Sequence, residues 1–168
     1  MEQQYSADYW KEKLELVSHV EGGAFREVYR SALELPKNAL TPGHKGNRAA
    51  ATGIYFLLEY GEFSAFHRIA SDELWHFYDG VSLCVYEIKA NGELVRHVLG
   101  KDIDKGERPQ ITIEAGSWFG SRVEVEGGYT LCGCTVSPGF DFADFELAER
   151  AALVTEYPQH KGIIEQLT

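Results

Sequence analysis

Eight short β signals follow one another between residues 51 and 137: TGIYFLLEY, FSAFHRI, ELWHFYDG, SLCVYEI, LVRHVLG, PQITIEAG, SWFGSRVEV and YTLCGCTVS. Turn dipeptides such as Asn91-Gly92 and Gly127-Gly128 separate some of them. Strands at this spacing, with no long helix between them, close most simply into a jelly-roll barrel or sandwich. Seventeen glycines and nine each of Phe and Tyr suit strands and turns better than a helical bundle. The expectation is an all-β fold in one domain spanning 1–168, long enough to bury its own core.

The flanks read differently. Ser6 to about Val17 predicts a short helix, with Ser6 as its cap and Trp10, Leu14 and Val17 on one face. HVEGGAFREVYRSAL breaks at Gly22-Gly23 and then becomes extended. Residues 36–50, PKNALTPGHKGNRAA, hold two prolines and two glycines and predict a mobile surface loop with His44 solvated. DFELAERAALVTEYP is helix-compatible from about Phe145 and stops at Pro158. The organisation expected is an N-terminal helix within 1–18, a surface loop at 36–50, a core barrel at 51–137 and a C-terminal helical segment at 144–168.

The formal charge of −10, with no Lys/Arg stripe, disfavours phosphate backbones, so no nucleic-acid partner is expected. MEQQYSADYWKEKLEL lacks a basic stretch followed by an apolar run, and no segment approaches the roughly 18 apolar residues of a membrane span. No membrane partner is expected. Cys84, Cys132 and Cys134 are an odd number without a disulfide-framework spacing, which makes the cytoplasm the expected address.

Residues 61 to 80, GEFSAFHRIASDELWHFYDG, concentrate two histidines and four acids. Glu73 follows His67 by six residues with a turn between, so neighbouring antiparallel strands can aim both at one lumen. Gly61 and Gly80 bracket the pair. This spacing resembles the first motif of the cupin family, with Ile69 where that motif has its second histidine. The second cupin motif has its best counterpart in Glu114-Ala115-Gly116-Ser117-Trp118-Phe119, where Gly116 matches and Phe119 replaces the last histidine. The longer strings HVEGGAFREVYRS, SDELWHFYDG and GCTVSPGFDFADFEL are similar to the cupin-5 branch over essentially the whole chain. The resemblance implies a double-stranded β-helix (the cupin jelly-roll barrel) with short N- and C-terminal helices, and a homodimer. It implies little about activity, because a fold does not carry one.

The metal set implied by the wider family is three histidines and a glutamate. Here it retains His67 and Glu73, while Ile69 and Phe119 stand where two imidazoles belong, so no metal and no other cofactor is expected. His76 lies three residues from Glu73 and on a regular strand faces the other way. Cys132 and Cys134 share a face and read as buried core thiols.

Without metal, a histidine beside a carboxylate suits proton abstraction next to a carbonyl. Another cupin-fold family, the dTDP-4-dehydrorhamnose 3,5-epimerases, is metal-free and has its base histidine at the position that His67 matches. It has lysine where Glu73 stands, and its acid tyrosine falls near Cys132; Tyr55 or Tyr129 is the candidate replacement. The expected catalytic residues are therefore His67 as base and Glu73 as its orienter.

Period-2 counting places Trp75 and Phe77 on the face of Glu73, and Phe63 and Ala65 on that of His67. Arg26 is the candidate anion clamp, and Gln110, Trp118 and Phe119 flank the second motif as candidate ligand contacts. Asp141 reads as a cap, His19 as a local turn bond, and His97 and His160 as surface residues. The function expected is that of a small-molecule-binding cupin, an isomerase or epimerase acting on a sugar-like or nucleotide-sugar-like carbonyl compound. A noncatalytic ligand-binding protein and a metal enzyme with an incomplete ligand set stay open beside it.

Overall fold

Alternating strands and the turns between them build two facing antiparallel sheets in the computed structural model, which describes residues 5–168. Residues 1–4, the start of the segment expected to hold the N-terminal helix, lie outside the described residues. One sheet runs in the order β1 (Val17–Ser18), β2 (Ala24–Arg30), β5 (Thr52–Glu59), β12 (Tyr129–Ser137), β7 (Asp72–Gly80) and β10 (Gln110–Ile113). The other runs β13 (Glu146–Leu147), β6 (Phe63–Arg68), β11 (Trp118–Val123), β8 (Leu83–Ile88) and β9 (Leu94–Leu99). A separate ribbon pairs β3 (Glu34–Leu35) with β4 (Arg48–Ala49). All eight strands expected between residues 51 and 137 form, and the jelly-roll arrangement follows from their order.

Inward-facing Phe56, Leu58, Trp75, Val85, Phe119 and Cys132 fill the space between the sheets. Each large apolar side chain withdrawn from water stabilises the fold by roughly 1.5–3 kcal/mol. The outer faces are covered in part by helices. Helix α1 (Ala7–Lys13) lays Trp10 and, just beyond it, Leu14 against Leu57, Tyr129 and Leu131 of the first sheet. The Trp10 indole N–H and the Tyr129 hydroxyl both donate to Asp79 Oδ2, at 2.9 and 2.7 Å. On the second sheet, Leu153 of α2 (Arg150–Glu156) and Ile164 of α3 (Lys161–Gln166) cover Phe66, Tyr86 and Trp118.

Ser6 caps α1 as expected, its Oγ accepting the Tyr9 N–H at 3.1 Å. The helix ends four residues short of Val17, since Glu15 turns to φ 53° and Val17 enters β1 with 60% of its surface exposed. The C-terminal helix starts later than expected. Residues 146–147 pair with β6 and cover that strand's open edge, and Glu149 then caps α2 through the N–H groups of Ala151 and Ala152.

The segment 36–50 differs from the mobile loop expected. Arg48 forks onto Asp144 with two 2.6 Å bonds, and both side chains are buried. His44 is 1% exposed, held by Thr41 Oγ1 at 2.8 Å and Ser71 Oγ at 2.9 Å. The partners that anchor these polar side chains come mostly from distant segments, so local composition does not reveal them.

Candidate functional site

Between the sheets lies a cavity of about 130 Å³. Strand β2 contributes Phe25, Glu27 and Arg30, β5 contributes Thr52 and Ile54, and β12 contributes Cys134 and Val136. His67 of β6 and Glu73 of β7 face it from opposite sheets, with Ile69 beside them. The HVEGG turn supplies His19 and Glu21, and the segment after β12 supplies Phe140, Asp141 and Phe142.

That turn depends on its glycines. Gly22 and Gly23 adopt φ of 113° and 74°, and a Cβ on Gly22 would lie 2.0 Å from the Phe63 carbonyl oxygen. Only glycine fits there, and the tight approach carries Glu21 beneath β6.

His67 is 4% exposed and both its ring nitrogens are engaged. Nδ1 lies 2.7 Å from the Ala65 carbonyl, to which it donates, and Nε2 lies 3.0 Å from Glu21 Oε2. The other Glu21 oxygen accepts the Ser64 hydroxyl at 2.9 Å. His19 Nδ1 accepts the Glu21 backbone N–H at 3.2 Å and sits 3.7 Å from Glu21 Oε2. Burial pushes Glu21 up to about 7 against the opposing influence of His19 and the Ser64 bond. Burial likewise pushes Glu73 up to about 7, opposed by His67 and reinforced by the charge of Glu21. The same burial pushes His67 down, with Glu73 and the Ala65 bond working against it. The neutral arrangement satisfies every atom: a protonated Glu21 donates to Nε2 while Nδ1–H donates to Ala65.

Glu73 has a softer environment. It shares the cavity lining with Cys134, whose thiol burial holds well above the usual thiol range and therefore protonated. The site thus combines two carboxyls that burial pushes up to about 7 with the His67 imidazole, in a mostly apolar cavity. Such a set can exchange protons with a bound molecule.

The other expected contacts lie elsewhere. Arg26 points out of the barrel and pairs with Glu15, because Phe25 and Glu27 take the inward positions of β2. A bulge between Glu27 and Tyr29 then brings Arg30 to the cavity mouth. Tyr55 is on the outer face, edge-on to Tyr78 at 6.0 Å between ring centroids. Trp75 and Phe119 are each 1% exposed and plug the barrel beside the cavity, the Phe119 ring 4.1 Å from that of His67. Phe77 packs partly buried against the core with the Lys101 ammonium over its ring. Gln110 is exposed on the edge strand β10, and Trp118 is buried under Arg68 on the helix-covered face. Tyr129 is committed to Asp79 on the outer side of the sheet.

Glu21, His19 and Arg30 were missed as cavity residues. The spacing His19-x-Glu21 before a double glycine was a usable signal, since two alternating polar residues precede a forced turn. Asp141 does cap, through the Ala143 N–H at 2.8 Å, and also rims the cavity. His97 is not a free surface residue: its Nε2 lies 2.8 Å from the buried Glu87. His76 faces away from Glu73, 3.2 Å from Thr135 Oγ1.

The three-histidine, one-glutamate set does not fit these residues. Ile69 and Phe119 hold two of its places, and His67 spends both nitrogens on Ala65 and Glu21. Among the described residues, no group of three or more His, Cys, Asp or Glu side chains is arranged to hold a metal ion. No helix among them is long and apolar enough to cross a membrane.

A family model described as Cupin superfamily (DUF985), Cupin_5, matches residues 8–148. A hypothetical protein from Leishmania major is similar at 35% identity with a TM-score of 0.90, over 98% of this chain and 99% of that one. A Shewanella oneidensis protein of solved structure is similar at 45% identity with a TM-score of 0.86, over 98% of each chain. Oxalate decarboxylase from Bacillus subtilis shares the fold at 14% identity and a TM-score of 0.54, over 90% of this chain and 36% of that one. No curated protein matches the sequence.

Proposed function

Because the chain belongs to the Cupin_5 family of the cupin superfamily, we propose that its barrel cavity performs acid–base chemistry on a small carbonyl compound, as an isomerase or epimerase does. The observation that carries this reading is the pair of buried carboxyls, Glu21 and Glu73, both pushed to about 7 and both facing the cavity that His67 adjoins. Glu73 takes the proton from the carbon next to the carbonyl, and the C–H electron pair moves into an enolate. Glu21 gives its proton to the carbonyl oxygen and takes it back when the enol collapses, with His67 Nε2 orienting the carboxyl. Return of a proton to carbon, on the other face or the neighbouring position, completes the exchange.

The roles differ from those expected of the sequence, where His67 was the base and Glu73 its orienter. With Nε2 facing Glu21, His67 acts through that carboxyl. A cavity of about 130 Å³ is close to the ~150 Å³ that encloses one benzene-sized molecule. That size supports a sugar-like fragment rather than a whole nucleotide sugar, whose phosphates would need the cation that Arg26 does not supply.

The test is deuterium incorporation from heavy water at the carbon beside the carbonyl, followed by proton NMR across a panel of small aldoses and ketoses. Wild type should exchange at least one of them, and Glu73→Gln should slow that exchange by about 10²-fold or more. A second reading, a noncatalytic binding pocket, is favoured by one observation: both His67 nitrogens are satisfied within the protein. Ligand-induced thermal stabilisation without exchange on any carbonyl compound would select it.

A further inference from the structure

The wall of the cavity is aromatic and its charge is one-sided. Phe25, Phe140 and Phe142 line it, with Phe140 and Phe142 edge-to-face at 4.9 Å. The His19 ring lies 4.4 Å from Phe25 and stacks at 6.4 Å on Phe142. Phe142 remains 56% exposed at the mouth, although burial would stabilise it. Four carboxyl groups, Glu21, Glu27, Glu73 and Asp141, face the same space.

Among the described residues, Arg30 is the one permanent cation in the lining, and it is already spent. Its guanidinium forks onto Glu27 at 2.8 and 2.7 Å and also reaches the Phe140 carbonyl at 3.3 Å. An anionic ligand would meet no free positive charge. Glu73 presents the complementary need: it is 7% exposed, it faces the cavity, and among the described residues no side-chain cation forms an ion pair with it. A buried carboxylate without a charged or strongly donating partner is costly, and a cation in the cavity removes that cost. Aromatic faces beside carboxylates are the surroundings in which alkylammonium groups are recognised.

We propose that the cavity takes a small organic cation, an amine or quaternary ammonium compound, seated between the Phe25–Phe140–Phe142 wall and the carboxyls of Glu73 and Glu21. This deepens the preceding proposal and rests on its premise that the cavity is the ligand site. Joined to that chemistry, the substrate class is an amino-substituted carbonyl compound. The cavity volume matches a choline-sized molecule.

The experiment is calorimetric titration of the full chain at low ionic strength with three molecules of equal shape. Choline is the cation, 3,3-dimethylbutan-1-ol its neutral counterpart, and 3,3-dimethylbutanoate the anion. Choline should bind about tenfold or more tightly than the neutral alcohol, and the anion should not bind. Glu73→Gln should bring choline down to the affinity of the alcohol. Phe142→Leu keeps an apolar side chain at an exposed site and should weaken choline several-fold more than it weakens the alcohol. Equal or better binding of the alcohol or the anion, choline binding indifferent to both substitutions, or no binding by choline would each overturn the assignment. Deuterium exchange on neutral carbonyl compounds without choline binding removes the charge class alone. Choline binding without exchange on any carbonyl compound keeps the charge class and removes the acid–base reading.

Discussion

His67 Nε2 lies 3.0 Å from Glu21 Oε2, and the strand that carries the histidine is far in sequence from the turn that carries the acid. With Nδ1–H given to the Ala65 carbonyl, the proton between Nε2 and Oε2 is the only one the imidazole can trade. Burial raises the carboxyl and lowers the imidazole, so the shared proton rests with Glu21.

Glu21→Gln removes the exchangeable proton but keeps the shape. Long-range nitrogen–proton NMR of the variant should show His67 protonated at Nδ1 and bare at Nε2 from pH 5.5 to 8. Wild type should show Nε2 gaining proton character as the pH falls. Superimposable titrations in the two proteins would mean that Glu21 does not govern the imidazole.

The raised carboxyls make a pH prediction whose sign is fixed. Glu73 moves from the ordinary 4.5 to about 7 on folding, so between those values the folded state holds a proton that the unfolded chain has released. Its stabilising contribution is complete below about 4.5 and is lost as the pH rises to about 7, on the order of 3 kcal/mol in all. His67, shifted down, has the opposite dependence, its contribution being lost as the pH falls. The difference between Glu73→Gln and wild type isolates the carboxyl. In urea unfolding the variant should gain on wild type steadily from pH 5 to 7.5, and parallel curves would contradict the buried, raised Glu73.

The Arg48–Asp144 fork ties the segment 36–50 to the chain that follows the Phe140–Phe142 rim. Both side chains are 5% exposed, so Asp144→Ala leaves a buried guanidinium with the Asn47 carbonyl and, 3.8 Å away, the more distant Asp141 carboxylate. The expected loss is about 3–5 kcal/mol in urea unfolding. Amide exchange should quicken in residues 36–50 of the variant and stay slow in wild type. Fast exchange there in wild type would instead describe the loose loop that composition suggests.

Ile69 and Phe119 occupy positions that a metal would need, and His67 has no nitrogen to spare. Dialysis against a strong chelator should therefore leave the melting temperature and choline binding unchanged. A drop in either that added Zn²⁺ or Mn²⁺ reverses would show a coordination shell unlike the one these side chains form.

Residues 51–137 show how far local pattern reaches. Period-2 alternation and turn dipeptides are properties of neighbouring residues, and every strand they mark is present. The inward aim of His67 and Glu73 follows from the same local rule. Arg26 shows where it stops. Which face of β2 turns inward depends on its pairing with β5, and the bulge after Glu27 reverses the alternation so that Arg30, not Arg26, reaches the cavity.

The sequence by itself determined the all-β barrel, the existence of its eight core strands and the two polar residues at its centre, because apolar periodicity and turn chemistry act over a few residues. Tertiary structure alone decided that Glu21 joins His67, that Arg48 and His44 bury themselves, and that an aromatic, acid-rimmed cavity survives between the sheets. Those outcomes depend on strand register and on partners distant along the chain. Their energy comes from removing rings from water and from pairing the polar groups buried with them, which no single segment expresses.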